Sequence, residues 1–290
     1  MPNIWLFLHY PLLEAKQKLF SIKYLTVIII IGFMCVLYTV SLRKFSYLIG
    51  YSVTPWFYPF LISINFYNLI YFALFIYFFS DAPFFQRNTI YQMIRCGRIK
   101  WGIIQMGKIL ISSFIYIISG ILISVVVMFP YVRLDSGWGN VIYTLSRTDA
   151  WKKYEVSLSF NYDIIVQKSP LQMMILTTII LWLAGTCIGL LMFALSLWIG
   201  RMFALFVSTI WVILPIILDN YAGVWRPLAT HFSPISWTRI TEIGQFKYGI
   251  PRLPSLIFIL SAYIIMCILF SAAALIRLRT IDLKWSSEEE

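Results

Sequence analysis

The residues best placed to do chemistry are a glycine-lysine run and a scatter of thiols and imidazoles. Gly102, Gly107 and Lys108 stand at the spacing of a phosphate-binding loop, where backbone N–H groups cradle phosphates and the lysine reaches the terminal one. The next position must supply a hydroxyl for magnesium, and here it is Ile109. No strand precedes the run, so the match is fortuitous and the chain is expected to bind no nucleotide itself. Cys35, Cys96, Cys187 and Cys267 share no paired spacing, and His9 and His231 cannot complete a cluster, which argues against a disulfide framework and a metal centre. No His, Asp or Glu cluster falls within the apolar runs, so no enzyme is expected and no cofactor.

The composition points to a lipid environment. Apolar residues make up 60% of the chain and charged ones 12%, with a mean hydropathy of +0.82. About 20 apolar residues cross a bilayer core as helix. Six stretches qualify: residues 24–42, 56–80, 109–129, 171–199, 202–218 and 256–276. Outer-membrane strands would alternate apolar and polar residues, and these runs do not. The expected fold is an all-α integral membrane protein forming one transmembrane domain over residues 1–290. Gly200 and Arg201 alone separate the fourth and fifth runs and predict a tight turn. Residues 4–20 are too polar to span and predict an interfacial helix. Pro59 and Pro215 are expected to kink their helices.

Polar groups within the spans are few. Asn65 and Asn68 share a face of the second span and are expected either to bond across helices or to line a pathway. Gly185 and Gly189 give the fourth span a small-residue face for close helix packing. Intramembrane acids that would mark an ion relay are missing, since Asp81 and Asp219 sit only at span ends.

The net charge of +11 is spread over the loops, which fits anchors to lipid headgroups and not a nucleic-acid face. Its densest part is the 81–108 segment, with Arg87, Arg95, Arg98, Lys100 and Lys108 against Asp81. Basic loops close to spans stay cytoplasmic, so this segment and both termini are expected inside a cell membrane. Residues 130–170, rich in Trp and Tyr, should then form a packed extracellular cap. Residues 219–254 should dip back into the outer leaflet as a re-entrant segment. Ser136 and Ser236 are expected to be reachable from outside.

The 81–108 segment resembles the corresponding loop of type 2 exporter permeases of the ATP-binding-cassette superfamily. Thr89-Ile90 stands where that family has Thr-Leu, Arg98 matches its arginine, and Lys108 its lysine opening the third span. Asn88 replaces the family's usual glycine, and Gln86 stands near its common acid. Ser233-Pro234-Ile235-Ser236-Trp237 before the last span adds to the likeness. The resemblance implies a bacterial plasma-membrane permease that pairs with a second permease copy or paralogue and with cytoplasmic ATPase subunits, which bind the ATP. A helix carrying Thr89, Ile90, Tyr91, Ile94, Arg95, Arg98 and Trp101 would couple to the ATPase. Its apolar side would be Ile90, Met93, Ile94 and Ile99. The cargo would be an amphipathic peptide, a lipid or a hydrophobic drug. The alternative is a non-transporting accessory or immunity protein of the membrane.

Overall fold

The computed structural model describes residues 11–13, 16, 18–84, 89–221, 225–247 and 250–280, without the side chains of 89–92, 221, 247 and 250. Among them, five helices are long and apolar enough to cross a membrane. They are α1 (Ile22–Ile49), α5 (Arg98–Met128), α9 (Pro170–Trp198), α10 (Arg201–Tyr221) and α12 (Leu256–Thr280). The chain is thus an all-α, membrane-type fold. A ladder of two-residue strands, β1 (Phe246–Lys247) and β2 (Ile250–Pro251), is the small exception. Of the interfacial segment expected at 4–20, residues 4–10, 14, 15 and 17 lie outside the described residues; Pro11–Leu13, Lys16, Lys18 and Leu19 are helical.

The second apolar run is not one straight helix. A 3-10 turn (Pro55–Phe57) and α2 (Tyr58–Ile62) meet α3 (Asn65–Phe79) at an angle of 88°. The break lies at Ser63-Ile64 and not at Pro59, which sits harmlessly in the first turn of α2, where its missing N–H costs nothing. Asn68 Nδ2 donates to the freed carbonyl of Ile62 at 3.0 Å and so heals the break from within. Pro215 lies inside α10, which continues past it to Tyr221.

Helix α9 is the central post, packed against α3, α5, α10 and α12. The reason is its small face. A Cβ on Gly185 would come within 2.8 Å of the Phe75 ring, and one on Gly189 within 2.6 Å of Ile109 Cγ2. Glycine at both positions lets α3 and α5 approach to van der Waals contact. At its C-terminus Arg277 Nε of α12 donates to the Leu197 carbonyl at 3.2 Å, and the guanidinium lies over Trp198. A cation there also meets the negative end of the helix dipole. Gly200, at φ +145°, makes the turn into α10.

Between α5 and α9, three short helices, α6 (Gly139–Arg147), α7 (Ala150–Lys153) and α8 (Tyr162–Gln167), occupy residues 130–170. Trp138, Leu158, Phe160 and Ile164 are buried there, with Phe60 of α2 against Trp138 and Phe160 at ring separations of 5.6 and 4.8 Å. Between α10 and α12, α11 (Arg226–Thr230) and 3-10 turns at Pro234–Thr238 and Ile240–Glu242 pack onto the bundle. Ser236, expected to be accessible, is fully buried, because the Pro234–Thr238 turn packs against α9 and α10.

Candidate functional site

At one end of the bundle the 81–108 segment forms α4 (Thr89–Cys96), then a break, then α5. The break has a local cause: Gly97 holds φ +85° and ψ 147°, a conformation that residues with a Cβ avoid. Ile99 therefore belongs to α5 and does not extend one apolar side with Ile90 and Ile94. Lys108 does not stand at a helix start, since α5 begins at Arg98 and runs through it; Lys108 is buried. Arg87 lies outside the described residues, as do the side chains of Thr89, Ile90 and Tyr91.

The described part of α4 has two faces. Met93 is buried, while Ile94 is 74% exposed and Arg95 and Cys96 are exposed beside it. Arg98 follows, also exposed. An aliphatic side chain surrounded by exposed cations on a short helix can seat in an apolar groove with an acidic rim. Trp101 is different. It is buried, 6.1 Å from the Phe193 ring of α9, which in turn stacks on Phe84 at 6.0 Å. It joins α5 to the central post and does not belong to the exposed surface.

At the same end of the bundle, the Lys18 ammonium is enclosed by Phe78, Phe79 and Phe84, with centroids at 4.5, 4.1 and 4.8 Å, and has no hydrogen-bond acceptor among the described residues. Its stem is partly exposed but the nitrogen is not. Burial, then repulsion from Lys108, pushes its pKa well below that of an ordinary lysine, and Asp81 acts weakly the other way. Asp81 itself pairs with Lys23 at the start of α1.

The opposite end holds a buried ionic cluster that sequence reading missed. Arg239 Nη1 lies 2.5 Å from Asp219, 3.3 Å from Glu242 and 2.6 Å from Asn65 Oδ1. Arg226 joins Asp219 at 2.6 Å, and Arg252 lies 3.9 Å from Glu242. Asn65 Nδ2 donates to Asp219 at 2.7 Å, and Asn68 Nδ2 to the Thr238 hydroxyl at 2.8 Å. Both asparagines therefore bond between elements. The cluster fastens the start of α3 and the end of α10 to the turns preceding α12. The missed signal was Asp219, the acid at a span end, 20 residues from an arginine inside the segment expected to re-enter the membrane.

Comparison with protein-family models, with curated proteins and with solved structures finds no match to this chain.

Proposed function

We propose that this chain is the permease subunit of an ATP-binding-cassette exporter, working with cytoplasmic ATPase subunits and a second permease copy or paralogue. Under this reading it sits in a bacterial plasma membrane with both termini cytoplasmic and moves an amphipathic peptide, a lipid or a hydrophobic drug outward. The observation that carries the reading is α4: a helix whose Ile94 and Arg95 are exposed, joined through a single glycine to the longest apolar helix among the described residues. Closure of a motor against α4 would be passed to α5 and, through Trp101 and Phe193, to α9. ATP would be bound by the partner alone.

The test is one introduced charge and one reversed charge on that surface, Ile94→Glu and Arg95→Glu, in cells that carry the ATPase. Both side chains are exposed, so the variants should insert and accumulate as the wild type does. Export and co-purification with the ATPase should fall at least tenfold, as expected when attraction across an interface becomes repulsion. Unchanged association and export in both variants would reject α4 as the coupling element and favour the accessory or immunity protein.

A further inference from the structure

We infer that the C-terminal end of α1 carries a binding site for the headgroup of a net-anionic phospholipid. The site is a cleft of about 330 Å³ lined by Val40, Arg43, Lys44, Tyr47 and Tyr131. Tyr131, just beyond α5, closes it: its ring stands edge-on to Tyr47 at 6.3 Å, and the Arg43 guanidinium lies 6.0 Å from its centroid. Two adjacent cations thus share one cleft whose lining contains no acid. Among the described residues, neither Arg43 nor Lys44 forms a salt bridge. The neighbouring cleft contains Arg133 and Asp135, which offset each other in charge and leave the excess at Arg43 and Lys44.

Depth along the helix identifies the occupant. Lys23, beside Asp81, and Lys44 are separated by about 31 Å at 1.5 Å of rise per residue. That matches a hydrocarbon core of about 30 Å, so Lys44 lies at headgroup level of the leaflet opposite Lys23. Below it, Phe33, Leu37 and Val40 are exposed at spacings of four and three residues, which puts them on one face leading up to Lys44. Phe33 lies about 16 Å from Lys44 along the axis, close to half the core thickness. A phosphate held by Arg43 and Lys44 therefore leaves its acyl chain along an apolar stripe of matching length. The tyrosine hydroxyls supply two further donors to the phosphate oxygens. A zwitterionic headgroup would bring its own cation against these two, so a headgroup of net negative charge is preferred.

The experiment titrates the purified full chain, in a neutral maltoside detergent, with phosphatidylglycerol or phosphatidylcholine and counts bound lipid by mass spectrometry of the intact complex. The wild type should bind phosphatidylglycerol more tightly. Two cations at about 1 kcal/mol each correspond to roughly a 30-fold weakening in Arg43→Gln/Lys44→Gln, and one to roughly fivefold in Lys44→Gln alone. The single variant removes an exposed side chain and keeps the test valid if the double variant folds poorly. Binding of phosphatidylcholine should not change. Equal affinity for the two lipids in the wild type, or undiminished phosphatidylglycerol binding in Lys44→Gln, would overturn the assignment. So would an equal loss in the control Lys152→Gln/Lys153→Gln on α7, which would mean that net charge alone matters. Displacement of the lipid by glycerophosphate at equal concentration would overturn the lipid as source, since the acyl stripe would then contribute nothing.

Discussion

Arg239 reaches across 174 residues of sequence to donate to the side-chain carbonyl of Asn65, 2.6 Å away, while the same guanidinium group meets Asp219. One side chain thereby holds the first residue of α3 to the end of α10. A buried guanidinium is tolerated here because acids and an amide surround it, and its removal takes from those acids their most buried partner, leaving Asp219 to Arg226 and Glu242 to the longer contacts with Arg226 and Arg252.

Arg239→Met is therefore expected to destabilise the protein by about 3 kcal/mol, since Asp219 and Glu242 lose a partner inside the fold. Arg239→Lys should recover only part of this, because an ammonium lacks the planar fork that reaches Asn65 and Asp219 together. Unfolding midpoints in detergent measure both. A loss below about 0.5 kcal/mol in Arg239→Met would rank the cluster with ordinary surface pairs.

Gly189→Ala should cost about 1–3 kcal/mol, because the added methyl meets Ile109 Cγ2 at 2.6 Å in a packed interface. Ile109→Leu removes that branch at nearly constant volume and should restore much of the loss in the double variant. Simple additivity of the two changes in unfolding free energy would show that the contact does not exist.

Lys18→Met should raise the unfolding midpoint at pH 7. Each phenylalanine face favours the ammonium by about 0.5–2 kcal/mol, but burying a charge without an acceptor costs several kcal/mol, and desolvation is the largest influence on Lys18. The sign with pH follows from the lowered pKa. Between that value and the ordinary lysine value of 10.5, the unfolded chain binds the extra proton, so the wild type gains stability as pH rises. The advantage of Lys18→Met should shrink toward pH 10.5; an advantage that grows with pH would contradict the lowered pKa.

Cys96 is the one exposed thiol among the described cysteines and lies at the end of α4. An impermeant maleimide should label it only after cells are permeabilised, whereas Ser136→Cys, exposed at the other end, should react in intact cells. Labelling of Cys96 in intact cells would place α4 outside and remove the basis for a cytoplasmic motor.

The long spans were legible because lipid demands about 20 apolar residues and leaves few other ways to satisfy the backbone. The small face at Gly185 and Gly189 was legible for the same reason: close approach leaves a pattern along one helix. The break at Ser63-Ile64 was not, because the run 56–80 is apolar throughout and the healing donor, Asn68, looks like any polar residue on a helix face. Nor was the Arg239 cluster, whose members are scattered between Asn65 and Arg252 and become neighbours only when α3, α10, α11 and the turns before α12 fold together. The break at Gly97 was available in principle, yet a glycine between two helical patterns reads equally as a tolerated interior residue.

Because α5 is a single uninterrupted helix of 31 residues, it is about 46 Å long, half as long again as the hydrocarbon it crosses. Under the proposed coupling it would act as a lever arm with overhang. A rotation of only about 5° at the Gly97 end would sweep the far end through about 4 Å over that length. That far end carries Tyr131, which closes the cleft beside Arg43. A small rotation imposed on one side of the membrane would in this way become a displacement that a headgroup on the other side would feel.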